Sequence, residues 1–343
     1  MTEREILLYN SLAGLHLLER APKADVVRDL CGLQAQFSRN PQLSLWLRAS
    51  DYAPESWDDG LIKIWAHRGT IHVVSESELG LYLSAADYGG EYRESWWGMT
   101  VDDQHRWGPF IVDQVRQGND TRDGLKRACA AAGMSESLLP KVFHGWGGLI
   151  KELCWRGQLG CCTGTEKRYR VPEPPTMMAR DEARRILIRR YFDRFGPATV
   201  QDCRAFFGYR MAELNPLLEE ILPEMRRTRI DGIDYYHARP LVEDAALPEC
   251  VLLPGFDQLV MGYKDRSRYL DPQNARKLVN IAGIVFPAVL VRGKIRARWK
   301  LDGDEVQVTP FERLLKKDEA AIRRAIRRSL GRGVRTVRLM PEE

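Results

Sequence analysis

At 343 residues the chain is longer than an ordinary single-core domain of roughly 100 to 200 residues, so several modules are expected. With 44% hydrophobic and 29% charged residues it has enough apolar mass for cores and enough charge for a wetted exterior. The start Met1-Thr2-Glu3-Arg4-Glu5 carries no apolar export region, and no apolar run approaches the roughly 20 residues that span a bilayer. These features exclude an integral membrane class and give a soluble, cytoplasmic protein as the expectation. The seven cysteines (31, 129, 154, 161, 162, 203 and 250) form no Cys-x-x-Cys pair and have no histidine at ligand spacing. Reduced, buried thiols and no metal are expected. Absence of Gly-x-x-x-x-Gly-Lys, Gly-x-Gly-x-x-Gly and His-Glu-x-x-His argues against a nucleotide cofactor or a zinc enzyme.

The net charge is only +5, but from Arg313 to Arg338 ten Lys or Arg stand against two acids, a local +8 that leaves −3 for the remainder. Clustered cations over a near-neutral body are the footprint of a polyanion binder, and equally of a solvated basic helix.

In chain order, residues 4–19 carry apolar positions at helical spacing, and a second helix is expected from about Asp25 towards Leu33. Gln34 and Gln36 then fall at or just past its C-terminal turn. On a regular helix residues two apart point about 200° away from each other. For both carboxamides to serve one site the backbone must leave the helix, and Ser38-Arg39-Asn40-Pro41 is where that is expected. A third helix follows at Leu43–Leu47. The β-rich stretch Trp65–Val74 is expected to turn near Arg68-Gly69. Helices followed by a ribbon make a winged helix.

The pattern recurs. Residues 110–158 read as three helices, and Gln158–Cys162 pairs with Lys167–Val171 as a second ribbon. Asp181–Phe195, Val200–Phe207 capped by Thr199, and Met211–Ile221 are helices of a third copy, whose hairpin turns at Asp231-Gly232. The division expected is winged helices at 1–100, 101–177 and 178–240, then a small β-barrel-like domain or sheet at 241–343 with a helix from Pro310 to Leu330. Within the last domain the two-residue period puts Lys294, Arg296, Arg298 and Lys300 on one strand face, either to track phosphates or to guard an exposed edge. Trp96, Trp97 and Trp107 are expected to pack between domains.

Gly32-Leu33-Gln34-Ala35-Gln36, His67-Arg68-Gly69-Thr70, Leu253-Pro254-Gly255-Phe256-Asp257 through Gly262-Tyr263-Lys264-Asp265-Arg266, and Val291-Arg292-Gly293-Lys294 ending in Trp299 together resemble the AlkZ/YcaQ-type DNA glycosylases. The resemblance runs in order from about residue 5 to about residue 335. It implies an α+β fold of three tandem winged helices and a C-terminal β-barrel, C-shaped overall and cupping duplex DNA. The activity implied is monofunctional hydrolysis of the N-glycosidic bond of N7-alkylguanine, including bulky natural-product adducts and interstrand crosslinks, in repair or self-resistance. Carried over, the family's Gln-x-Gln motif gives Gln34 and Gln36 as the catalytic pair; another subgroup has Asp at the second place, which this sequence lacks. A hairpin of the barrel is expected in the minor groove, with Arg292–Arg298 as the candidate.

The residues are chemically consistent with that implication. A carboxamide both accepts and donates hydrogen bonds without titrating, so it can aim a water but cannot deprotonate it. Alkylation at N7 makes the guanine cationic and already a good leaving group. The DNA contacts expected are His67, Arg68, Thr70, Arg266, Arg292, Lys294, Arg296, Arg298 and Lys300. For His67 and Arg68 a phosphate role and a bracing role against Asp257 stand side by side. Arg266 pairs either with Asp265 or with the barrel. The partner expected is double-stranded DNA carrying alkylated purines, bound by a monomer without a cofactor. Gln-x-Gln on its own reads as the solvated end of a helix and points to chemistry only through its surroundings, and the competing class is a non-catalytic winged-helix DNA-binding protein or transcription regulator.

Overall fold

Thr2 accepts the Glu5 amide while the Glu5 carboxylate takes the Thr2 amide, a reciprocal cap that starts the first helix, Glu3–Gly14. The computed structural model describes residues 1–86, 91–93, 98–145, 147–164 and 166–342, and it is a mixed α+β structure. Trp96 and Trp97 lie outside the described residues. The first helix stops five residues before its expected end. Its Gly14 is packed so tightly that a Cβ there would fall 2.0 Å from the Arg194 carbonyl oxygen, and His16 takes a left-handed turn at φ 56°.

The described chain divides into two units: residues 1–34, 39–57 and 185–343 form the first, and residues 35–38 and 58–184 the second. In the first, an open sheet runs in sequence order through Cys250–Leu253, Ala288–Val291, Lys294–Asp302, Glu305–Pro310 and Thr336–Leu339. Of the barrel and the sheet expected for this region the sheet is found, and the barrel is corrected: among the described residues none of the sheets closes, and the last strand joins parallel to Glu305–Pro310 after the helix Lys316–Leu330. A parallel partner needs a crossover connection, and that helix supplies it. The C-terminal helix accordingly starts at Lys316 rather than Pro310, because Glu305–Pro310 is extended and buries Val306 and Val308.

Along Lys294–Asp302 the expected alternation holds. Ile295, Ala297, Trp299 and Leu301 are buried, the last three in the core that holds Ile322 and Ile326 of the crossover helix, and Trp299 Nε1 donates to the Leu253 carbonyl at 2.8 Å. Elsewhere in this unit the helices Arg180–Arg194 (from Arg185), Val200–Phe207 and Met211–Ile221 bury Tyr191, Phe195, Phe206 and Leu214. Thr199 caps the second of them by the reciprocal bond with Asp202. The hairpin Arg226–Ile230 with Ile233–His237 turns at Asp231 and Gly232, both left-handed at φ 50° and 78°.

The second unit has its own core, built from Ile111, Leu125, Leu149, Leu153 and Trp107 among others. Trp107 was expected between domains and is instead 3% exposed inside this core. The ribbons expected from separate modules share one sheet here: Ile71–Ser75, Leu61–Trp65, Gly160–Cys161 and Tyr169–Arg170 lie side by side in that order. All seven cysteines are free thiols; Cys161 and Cys162 are half-buried rather than buried as expected.

Candidate functional site

The second helix, Lys23–Asp29, ends at Leu30, after which Cys31 and Gly32 take left-handed conformations at φ 53° and 83°. That pair of turns breaks the helix before the glutamines rather than after them. Leu33–Gln34 is extended, and Arg39–Arg48, where the helix was expected to end, is itself the next helix. The helical separation of the two carboxamides therefore does not apply. Gln34 is 7% exposed, whereas Gln36 is exposed, followed by an exposed Phe37.

Each part of this segment is tied through its backbone within its own unit, Gly32 in the first and Ala35 in the second. Gln258 Nε2 donates to the Gly32 carbonyl at 3.0 Å, and the Ala35 amide donates to the Ile71 carbonyl at 2.8 Å. Gln258 is placed by Asp257, whose Oδ1 caps the short helix Gln258–Met261 through the Leu259 amide. Asp257 Oδ2 meets Arg48 Nη2 at 2.6 Å with both side chains fully buried. Arg48 also donates to the Leu15 carbonyl and to Ser44 Oγ. Neither charge is short of partners, so the pair is tolerated in a dry interior and locks Gln258 beneath Gly32. Arg48 therefore fills the role, bracing Asp257, that the sequence left open for Arg68. A cue existed: Arg48 stands one turn after Ser44 and three residues after Leu45 on the same helix, a spacing that turns it towards their buried side.

Of the residues expected to contact DNA, His67 is buried, its ring 4.4 Å from that of His72 and 5.8 Å from that of Tyr82. Arg68 sits left-handed at φ 56° in the turn between the two strands, and burial pulls its pKa down to about 10. Thr70 Oγ1 donates to the His67 carbonyl. Arg266 Nε donates to the Val260 carbonyl, while Asp265 accepts from Ser267.

The strand face Lys294, Arg296, Arg298 and Lys300 lies together as expected, and acids face most of it. Lys294 Nζ is 2.9 Å from Asp271, Arg296 is 3.7 Å from both Glu312 and Asp318, and Lys300 is 3.0 Å from Asp302. Arg298 lies over the Phe286 ring at 4.6 Å. Arg292, at the hairpin tip with φ 46°, donates to Asp318 at 3.0 Å and meets Glu249 at 3.3 Å. Its neighbour Gly293 has Leu247 and Leu8 within 4 Å of where a Cβ would stand. The tip is packed down on its own unit.

A family model described as "DNA glycosylase AlkZ-like" matches residues 27–331. A curated relative from Streptomyces sahachiroi, an interstrand DNA cross-link repair glycosylase, is 30% identical, the match covering 88% of this chain and 90% of the relative. The solved structure of Streptomyces sahachiroi DNA glycosylase AlkZ superposes with a TM-score of 0.78 at 26% identity, covering 99% of this chain and 100% of that one. The chain belongs to the AlkZ-like DNA glycosylase family. It is a DNA glycosylase, with DNA as its substrate.

Proposed function

We propose that the chain hydrolyses the N-glycosidic bond of N7-alkylguanine in duplex DNA, with Gln34 and Gln36 aiming the attacking water. The observation that carries this reading is the segment Gly32–Gln36, no longer helical, which carries two non-titrating carboxamides two residues apart, Gln34 buried and Gln36 exposed, in a family of glycosylases. A cationic purine leaves without being protonated, so no general acid is required. What the enzyme must supply is a water on the open face of an oxocarbenium-like sugar and dipoles that favour its positive charge. Carbonyl oxygens of the two glutamines meet both needs. Undamaged guanine, lacking the electrophilic push, is left intact.

The name of the S. sahachiroi relative extends the proposal to bulky adducts and interstrand crosslinks, in general repair or in self-resistance. The monomer acts without a nucleotide cofactor, and residues 1–100, 101–177 and 178–240 serve as winged-helix modules along the duplex. Phosphate contacts from Arg292, Lys294, Arg296 and Lys300 would be made by exchanging a carboxylate partner for a phosphate. His67, Arg68, Thr70, Arg266 and Arg298 complete the proposed DNA-contacting set.

The test is single-turnover release of 7-methylguanine from duplex. Replacing Gln34 and Gln36 together by alanine is expected to lower the rate by about 10²–10³ while DNA affinity is unchanged. Undiminished release by that variant refutes the catalytic assignment, and release of unmodified guanine at a comparable rate refutes the self-activation argument. A chain that binds duplex but releases no base is instead the non-catalytic DNA-binding protein.

A further inference from the structure

Within the second unit, a cavity of about 120 Å³ opens beside the strands Leu61–Trp65 and Ile71–Ser75. Trp65, Ile71, Phe143 and Tyr169 give it an apolar, largely aromatic lining, and Lys63 and Lys167 bring ammonium groups to it. It is well short of the roughly 300 Å³ at which pockets for drug-sized ligands begin, so it suits a single planar ring system. Its cations differ in availability. Arg168 is 2.9 Å from Asp120 and Arg122 donates to the Phe143 carbonyl. Lys63 and Lys167, by contrast, have no carboxylate partner among the described residues, although Lys63 is half-buried.

A half-buried ammonium without a counter-charge is costly unless an anion arrives to meet it. Burial accordingly pulls the pKa of Lys63 down. The Cys161 thiol, also at the cavity, senses the same field. Its pKa is lowered chiefly by the hydrogen bond from Cys154, and Lys63 and Lys167 add to that shift.

Within this unit the cavity lies close to Gln36 by way of the sheet. Trp65 stands opposite Ile71 in the strand pair, and the Ile71 carbonyl accepts the Ala35 amide, one residue before Gln36. Two strand spacings of about 4.8 Å separate Trp65 from the Ala35 main chain, or roughly three 3.4 Å base steps of a duplex.

We propose that this cavity holds an undamaged nucleotide of the DNA strand, its base against Trp65 and Tyr169 and its phosphate on Lys63 and Lys167. The inference rests on the reading that this chain acts on DNA. An aromatic lining stacks any base, and unpaired ammonium groups select the anionic phosphate beside it. The same charges disfavour the N7-alkylated guanine itself, which is cationic. The cavity is thus a holding place for a neighbour or partner of the lesion and not for the lesion.

Calorimetric titration of the full-length protein with 2′-deoxyadenosine 5′-monophosphate, 2′-deoxyadenosine and inorganic phosphate tests it. The monophosphate is expected to bind at least tenfold more tightly than either fragment. Lys63→Met lowers that affinity about tenfold, and Lys63→Arg restores most of it. Phosphate binding as tightly as the monophosphate, or Lys63→Met binding like the parent, overturns the proposal.

A second arm separates a strand nucleotide from a free one. Duplex carrying 7-methylguanine and a nearby 2-aminopurine is expected to brighten on binding the parent protein and not Lys63→Met. Binding of free monophosphate with no brightening at any nearby position refutes the DNA source. Release of 7-methylguanine by the parent, scored alongside, reports on the glycosylase reading independently. A protein that passes one and fails the other shows which of the two is wrong.

Discussion

The Gly32–Gln36 segment and the strand Lys294–Asp302 are both polar, and they are held by opposite means. Beneath the first lies a fully buried ion pair, Arg48 with Asp257, linked through Gln258 to the Gly32 carbonyl. On the second, the charges are at the surface, and each lysine has an acid within 3 Å and a share of solvent. Charge in the interior fixes a backbone, because neither partner can be satisfied elsewhere. Charge on the strand face is exchangeable, because water or phosphate can replace the carboxylate at little cost. Position is therefore built at the glutamines, and adaptability at the strand.

The sharpest way to break this comparison is to remove one member of the buried pair. Arg48→Met should lower the stability of its unit by about 3–5 kcal/mol, read as the denaturation midpoint, since it strands the Asp257 carboxylate in a dry interior. Adding Asp257→Leu to Arg48→Met should recover part of the loss even though glycosylase activity is not restored. A single variant that unfolds at the parent's midpoint would mean the pair holds nothing.

A smaller effect distinguishes the second unit by pH. His72 is buried and its pKa is depressed from 6.5 to about 3, first by burial and then by the positive charge of Arg68. Because the folded value lies below the unfolded one, the stabilisation is fully present above pH 6.5. It is lost as pH falls towards 3, since the unfolded chain takes up a proton that the folded chain refuses. The loss is on the order of 1.4 kcal/mol per pH unit in that window. His72→Gln should flatten this part of the stability profile; an unchanged slope would show that another group carries it.

The smallest effects belong on the strand. Lys300→Gln should change stability by less than about 1 kcal/mol, because its partner Asp302 is itself exposed. If Lys300 touches phosphate, the same change lowers the salt dependence of DNA binding by about one unit of slope. An intact salt slope removes it from the interface.

How much of this could be read in the sequence depended on the range of the determining interaction. The hairpin at Asp231-Gly232 and the cap at Thr199 are written in two to four consecutive residues, and both stand where expected. Lys294–Asp302 was legible because its alternation is complete over seven residues. Glu305–Pro310 was hidden, since its apolar positions are two valines and its proline reads as a helix start. The strand Thr336–Leu339 was hidden too, because only the crossover helix brings it to its partner.

At the candidate site, the spacing of Gln34 and Gln36 was legible and the backbone beneath them was not. Two consecutive left-handed residues, one of them Cys31, replace a helical turn, and no local propensity favours cysteine in that conformation. The supporting Arg48 and Asp257 are separated by 209 positions, so their pairing is written in no local pattern.

In the proposed reaction two groups incapable of titration perform the aiming. This is tested most directly by the pH profile of single-turnover 7-methylguanine release at saturating enzyme, between pH 5.5 and 8.5. The rate constant is expected to stay level across that range for the parent chain and to fall uniformly when both glutamines become alanine. A bell or a single inflection within the range, persisting with DNA fully bound, would place an ionising acid or base at the reacting centre and contradict it.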